Sequence, residues 1–442
     1  MSDRVTVIGG GLAGSEAALQ LAARGIPVDL HEMRPTATTP AHQTDRLAEI
    51  VCSNSFKSTA PTNASALLKD EMKRLGCFLI PIAEECRVEA GSALAVDRDA
   101  FAAAVTRRVE AEPLIALRRS EVRALPAGDD VIVATGPLTS EPLVESLTSF
   151  LGVDSLYFYD ATAPIVSAES VDTSIAFRAN RRDAADGDYL NCPLTEEQYD
   201  AFLQAVLEAD RYPLHDFEKG KFFESCLPVD ELARRGRLTL AFGPMRPVGL
   251  IDPATGRRPF AVVQLRAENR DGTAYNLVGF QNRMRHGEQR RVLRMIPGLA
   301  QAEFYRLGRV HRNTYLESPK ILDRFLRARK DPRVTIAGQL TGLEGYVECV
   351  ATGMLAGIFT AARRTGTEPS PFPPETALGA LLRFCTEHDG EYRPTNVNFG
   401  LFPPLADRRR KGRERNGAMV ERAREALTGW LEGSPAEAFP AR

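Results

Sequence analysis

RVTVIGGGLAG, residues Arg4 to Gly14, is the stretch on which the reading of the whole chain turns. Val5, Val7 and Ile8 make a short apolar strand, and Gly9, Gly10, Gly11, Leu12, Ala13 and Gly14 fit G-x-G-x-x-G. SEAALQLAAR predicts a helix stopped by Gly25, and IPVDLHEM predicts a second strand ending near Glu32. The first glycine permits a tight turn, the second lets backbone approach a pyrophosphate, and the third lets helix and strand pack closely. The pyrophosphate sits against unpaired N–H groups at the positive end of the helix dipole. Glu32 stands eighteen residues after Gly14, where an acid takes the ribose hydroxyls of an adenosine half. A glycine-rich turn alone is weak evidence. Strand, glycines, helix, strand and acid in this order predict a dinucleotide-binding βαβ unit.

A second strand–turn–helix unit lies far down the chain. RVTIAGQ (333–339) predicts a buried strand, and Gly338 to Gly345 lead into an apolar helix of small residues, YVECVATGMLAGIFTAARR. Gly338, Gln339, Gly345 and Tyr346 are therefore expected to set a helix N-terminus against a flavin ring, where the dipole favours negative charge on the reduced ring. Thr135 and Gly136, in the turn after VIVATG, mark the crossing back to the cofactor. Two such units suit FAD better than NAD as the resident cofactor; a plain sheet-to-helix connection is the bland alternative.

The expected fold class is α/β: a Rossmann-like, glutathione-reductase-like FAD-binding domain, an inserted α+β domain and a helical C-terminal segment. Its expected boundaries are residues 1–155 and 331–368 for the FAD domain, 156–330 for a substrate domain and 369–442 for the tail. Thr36 to Asn63 reads as a long polar loop, a kind that is usually functional. Helices are predicted from Ala64 to Leu75, after Asp97, and from Thr195 to Ala209, and Arg270-Asp271-Gly272 predicts a hairpin. Ser370 to Pro374 reads as a linker.

With 442 residues the chain has room for two or three domains. No apolar run is long enough to span a bilayer and no secretory leader opens the chain. The seven cysteines are scattered, odd in number and without C-x-x-C. That predicts reduced thiols in a cytoplasmic protein, with no metal site. Cys52 lies in the polar loop and Cys226 follows Phe222 and Phe223 in KFFESCLP. A cysteine is most often a small buried hydrophobe, but a lysine nearby can favour the thiolate. Phe222 and Phe223 fit either a core or a stacking surface for an extruded base. Net charge is −2, so the chain is not globally basic, yet arginines are bunched, as in RMRHGEQRRVLR and RRRKGRER. Such runs are either solvated helix faces or parts of a basic face.

Several long segments resemble one family. VIGGGLAGSEAA, HEMRP, TPAHQTDRLAEIVCSNS, FFESCLPV, GFQNRMRHGEQRRV, RNTYLESP, AGQLTGLEGYVECVATGMLAG and PTNVNFGLFPPL are similar to the folate- and FAD-dependent tRNA uracil-5-methyltransferases, the TrmFO (formerly Gid) family. The GQLTG…GY segment is also similar to the longer GidA (MnmG) flavoproteins. The resemblance implies methylation of uracil C5 in the T loop of tRNA, with a one-carbon unit from methylenetetrahydrofolate, FAD as carrier and NAD(P)H as reductant. It implies that Cys226 is the nucleophile adding to uracil C6 and that Cys52 is a second active-site cysteine. It makes tRNA the partner of the arginine runs, with Arg283, Arg285, Arg290 and Arg291 expected at the RNA together with the Arg408–Arg415 run. No membrane and no obligate protein partner are expected. An NAD(P)H-dependent flavoprotein oxidoreductase, an MnmG-like tRNA-modifying flavoprotein and a non-enzymatic tRNA-binding flavoprotein are the competing readings.

Overall fold

The computed structural model describes residues 3–39, 41–153, 156–181, 187–212, 227–367, 370–407 and 409–433. Cys226, Phe222, Phe223 and Arg408 lie outside the described residues.

The chain opens with β1 (Val5–Ile8), α1 (Leu12–Ala22) and β2 (Val28–Glu32). Next come β3 (Ser55–Ser58), α2 (Ala64–Arg74), α3 (Leu79–Glu85), β4 (Arg87–Val88) and β5 (Ala93–Val96). This first part ends with α4 (Arg98–Glu110), β6 (Ile115–Arg119), β7 (Val131–Val133) and α5 (Glu141–Leu151). The middle part holds β8 (Leu156–Ala161), β9 (Ile165–Ser167), β10 (Phe177–Arg178), β11 (Leu190–Leu194), α6 (Glu196–Glu208) and α7 (Val229–Arg234). It continues through α8 (Thr239–Phe242), β12 (Ala261–Ala267), β13 (Ala274–Leu277), α9 (His286–Leu293), β14 (Phe304–Arg306) and β15 (Val310–Tyr315). The return consists of α10 (Ser318–Ile321), β16 (Arg327–Ala328), β17 (Asp331–Ile336), α11 (Tyr346–Thr365), α12 (Ala377–Glu387) and α13 (Gly412–Glu432).

The main sheet has the order β16-β17-β7-β1-β2-β6. All its pairs are parallel except β16 with β17. Val5, Val7 and all of β7 are fully buried, as expected for parallel strands covered on both faces. α1 and α11, from opposite ends of the chain, pack on each other behind β1. A Cβ at Gly353 would meet the Ala13 carbonyl oxygen at 2.2 Å, which explains why α11 is made of small residues.

The inserted body is an antiparallel sheet, β10-β11-β12-β13-β9-β14, with its own core around Tyr199, Phe202, Phe280 and Val292. β12 and β13 form the expected hairpin, with Gly272 at φ +63°. β8 and β15 make a separate two-stranded ribbon, and β3-β5-β4 a third small sheet. α2 is capped by Asn63, whose side chain accepts from the Ser65 N–H, and α4 by Asp97. α6 carries a full capping box on Thr195 and Gln198.

Three expectations need correcting. The insertion ends before residue 330: Leu316, Ile321, Leu322, Phe325, Leu326 and Ala328 are buried in the core of the FAD-type domain, and β16 extends its sheet. The apolar spacing of this stretch is ambiguous, so only its packing partners reveal the domain it serves. The 36–63 stretch is not wholly loop, since β3 pairs with β5. Residues 370–374 are not a loose linker: Phe372 is buried and stacks on Trp430 at 4.1 Å between ring centroids. The structure also adds α3 and α5, for which the sequence reading makes no prediction.

Candidate active site

A cleft with about 1050 Å³ of open space lies at the carboxyl ends of β1 and β7, the position at which open α/β sheets bind their ligands. Gly9, Gly11, Leu12, Ala13, Glu32, Thr135, Gly136, Gly338, Gln339 and Tyr346 all line it. Three residues expected at the cofactor stand behind that wall. Gly14 packs against the backbone of Gly9, Gly10 donates its N–H to Glu32 Oε2 at 3.0 Å, and Gly345 precedes α11 at φ +111°. Gly9 is at φ +103°, a conformation that a side chain rarely adopts. Nothing lies within 4 Å of where a Cβ on Gly11 would be, so the backbone there is open to a ligand.

At one end of the cleft Glu32 is buried. Its Oε1 accepts from the Arg34 N–H at 3.0 Å and from Arg34 Nε at 2.8 Å. Burial opposes its charge, but the Arg34 hydrogen bond and guanidinium and the N–H groups of Arg34 and Gly10 outweigh it. The carboxyl is held below its ordinary range. Arg34 also binds Glu49 Oε2 at 2.9 Å, and Glu49 accepts from the N–H groups of Gln43 and Thr44. One carboxylate thus folds the polar loop over the adenosine end. His42 lines the same wall; burial and then the Arg34 charge push it down to about 4.

At the other end the Tyr346 hydroxyl accepts from the N–H groups of Cys52 at 2.8 Å and Ser53 at 3.3 Å. The tyrosine ring rests 5.7 Å from Phe56, and burial followed by the nearby Cys52 raises its pKa. Arg98, at the start of α4, donates to the carbonyls of Ile50 at 2.8 Å and Cys52 at 3.3 Å and pairs with Glu268 of the insertion. Asn54 donates to the Ala267 carbonyl at 2.9 Å and accepts from Arg266 Nε at 2.8 Å. The Cys52 loop is therefore clamped from both bodies. Arg306, last residue of β14, is half-buried beside it and places its charge near Cys52, Tyr346, Arg98 and Glu268.

The sequence reading assigns no role to Arg34, Glu49, Arg98, Glu268 or Arg306. Arg34 is visible in HEMRP, two residues after Glu32. The others come from distant segments, and no local spacing signals them. Burial pushes Cys192 and Cys385 up to about 12 and also raises Cys77, Cys86 and Cys349, in keeping with packing roles. Cys349 nevertheless lines the cleft.

The arginine expectation divides. Arg285, Arg290 and Arg291, at and on α9, are exposed. Arg285 lies over the Tyr212 ring and Arg291 pairs with Glu288 on its own helix. Arg283 is different: it is buried and ion-paired with Asp230 and Glu231, so its charge is spent inside the insertion and does not face an RNA. Among the described residues no group of three His, Cys, Asp or Glu could hold a metal, and no helix is long and apolar enough to cross a membrane.

The family model for glucose inhibited division protein A matches residues 4–368. The methylenetetrahydrofolate--tRNA-(uracil-5-)-methyltransferase TrmFO of Heliobacterium modesticaldum is 54% identical over 424 residues, covering 96% of this chain and 97% of its own. Its counterpart from Geobacter sulfurreducens is 54% identical over 433 residues, covering 98% and 99%. The structure of Aquifex aeolicus GidA superposes with a TM-score of 0.69 at 15% identity, covering 99% of this chain and 76% of that one, a likeness of fold. Identity of this order along nearly the whole length leaves one conclusion: the chain belongs to the TrmFO family of tRNA (uracil-5-)-methyltransferases, within the wider GidA group.

Proposed function

We propose that the protein methylates C5 of a uracil in the T loop of tRNA, with FAD as resident cofactor, methylenetetrahydrofolate as carbon donor and NAD(P)H as reductant. One observation carries the reading. The cleft that gathers ten of the expected cofactor residues ends at Tyr346, which holds the backbone of Cys52.

The cleft fits FAD. Gly9, Gly11 and the first turn of α1 face it, and the first N–H groups of a helix have no intrahelical partner. They would hold the pyrophosphate, and the buried, ionised Glu32 the ribose hydroxyls. Gly338, Gln339 and Tyr346 would flank the ring. When bound, FAD supplies reducing equivalents and carries the one-carbon unit.

The chain's own residues supply the rest. Uracil C5 is a poor nucleophile. Addition of the Cys226 thiolate to C6 moves electron density through C5 and O4 as an enolate, which divides one difficult step into two easier ones. Cys52, whose backbone Tyr346 and Arg98 hold, would assist removal of the C5 proton, a role that its tie to the cleft residue Tyr346 supports. The target base must be unstacked to reach so enclosed a site, and the exposed arginines of α9 offer charge for the RNA backbone.

The test is mass spectrometry of nucleosides from unmodified tRNA after incubation with protein, NADPH and methylenetetrahydrofolate labelled in its methylene. Labelled 5-methyluridine is expected. Cys226→Ala is expected to keep FAD and lose the product. No product, with FAD bound and NADPH still oxidised, would replace the reading with a small-molecule oxidoreductase.

A further inference from the structure

The thiolate addition leaves a negative charge on the uracil O4, and none of the residues assigned so far faces it. Arg306 has the right character. It lies at the end of β14, the edge strand of the inserted sheet, where the pairing with β9 slips between Phe304 and Arg306. Such a bulge re-aims side chains and is common beside active sites. The chain just beyond it is fastened to the Cys52 neighbourhood. Thr162 and Arg309 exchange hydrogen bonds at 2.8 and 3.0 Å, and the Cys52 thiol lies 3.8 Å from the carbonyl oxygen of the adjoining Ala161.

Among the described residues the Arg306 side chain makes no hydrogen bond and no ion pair. The carboxylate near it, Glu268, has both oxygens engaged by Arg98. A half-buried guanidinium without a side-chain partner is costly, and Arg306, within electrostatic reach of Cys52 and the buried Tyr346, is suited to an anion that arrives with the substrate. Arginines available for phosphates stand elsewhere, exposed on α9. Resting on the methyltransferase reading, we infer that Arg306 is a catalytic residue that donates hydrogen bonds to O4 of the target uracil and stabilises the enolate formed when Cys226 adds to C6.

The balance is simple. The C6–Sγ bond forms and the C5=C6 π pair moves through C4 onto O4, where Arg306 N–H groups meet it without giving up a proton. Collapse of the enolate accepts a proton from solvent at C5. Loss of the original C5 proton and expulsion of the thiolate then restore uracil. This sequence needs no folate, so it exchanges the C5 hydrogen with solvent.

The experiment measures deuterium uptake at C5 of the T-loop uridine from D2O by the FAD-loaded protein without folate. Affinity for tRNA, FAD content and melting temperature are recorded beside it. Arg306→Gln is expected to slow exchange by about a hundredfold or more at saturating tRNA, the scale for losing one donor to a developing oxyanion, with affinity, FAD content and melting unchanged. Arg306→Lys is expected to recover part of the rate. Exchange that persists in Arg306→Gln overturns the proposal alone, as does a loss confined to tRNA affinity, which would make Arg306 a phosphate ligand. A glutamine variant that has lost its FAD or its fold, joined by a lysine variant that folds but exchanges no faster, also overturns it. Absence of exchange in the unaltered protein, against a tRNA that it binds, overturns the thiolate mechanism itself and the proposal with it.

Discussion

Gly14 has no room for a methyl group. A Cβ placed there would lie 1.8 Å from the Gly9 carbonyl oxygen, in backbone that cannot swing aside. Gly14→Ala is therefore expected to push α1 away from β1. It should cost about 1–3 kcal/mol of stability, the usual range for overpacking, and most of the bound FAD. Melting temperature and flavin absorbance of the purified variant check both. Glu32 shows how far single residues could be read. Its place opposite the glycines followed from spacing, but the chain between them does not say that Arg34 neutralises it or that Glu49 shares that arginine. Arg283 shows the reverse. In RMRH it looks like Arg285, yet Asp230 and Glu231, more than fifty residues away, bury it.

Elements are held by a few buried polar groups. Glu71 of α2 accepts from the N–H groups of Ala377 at 2.8 Å and Leu378 at 2.9 Å, and so caps α12 from a distant helix. Burial, only partly offset by those two N–H groups, pushes its carboxyl from 4.5 up to about 8. The folded state then keeps a proton that the unfolded chain releases. The stability from this group is complete below the ordinary carboxylate range and is lost as pH rises through about 8. Melting temperatures between pH 5 and 8 are expected to fall more steeply for the native protein than for Glu71→Gln. Parallel curves would show that the carboxyl is ionised in the fold. The helix starts at Ala64 and after Asp97 were legible because their signals act within one turn. The Glu71 cap was not, because its two halves are about three hundred residues apart.

For the whole molecule, exposed arginines matter as a field and not one by one. Changing Arg285, Arg290 and Arg291 together to glutamate is expected to weaken tRNA binding by about tenfold or more near physiological salt. The slope of log affinity against log salt should flatten by about two to three, roughly one for each phosphate that these arginines no longer neutralise. Binding that stays unchanged at low salt would move the RNA to another face. The clamp of Arg98, Glu268, Asn54 and Arg266 belongs to this scale too, since it joins the inserted sheet to the Cys52 loop.

The dinucleotide half was legible in the chain because its determinants are local: alternating burial, three glycines and an acid, all between Arg4 and Glu32. The family followed from several long segments read together along nearly the whole chain. Members of the ring end of the cleft were legible, but the contacts that assemble it were not. Tyr346 and Cys52 are 294 residues apart, and Arg98 and Arg306 reach the same loop from two different domains. Contacts of that kind depend on how two bodies pack, and a pattern along one chain carries no distance between its remote parts. The return of residues 316–328 to the first core was hidden for the same reason. Their apolar side chains demand burial, but only the assembled sheet says against what.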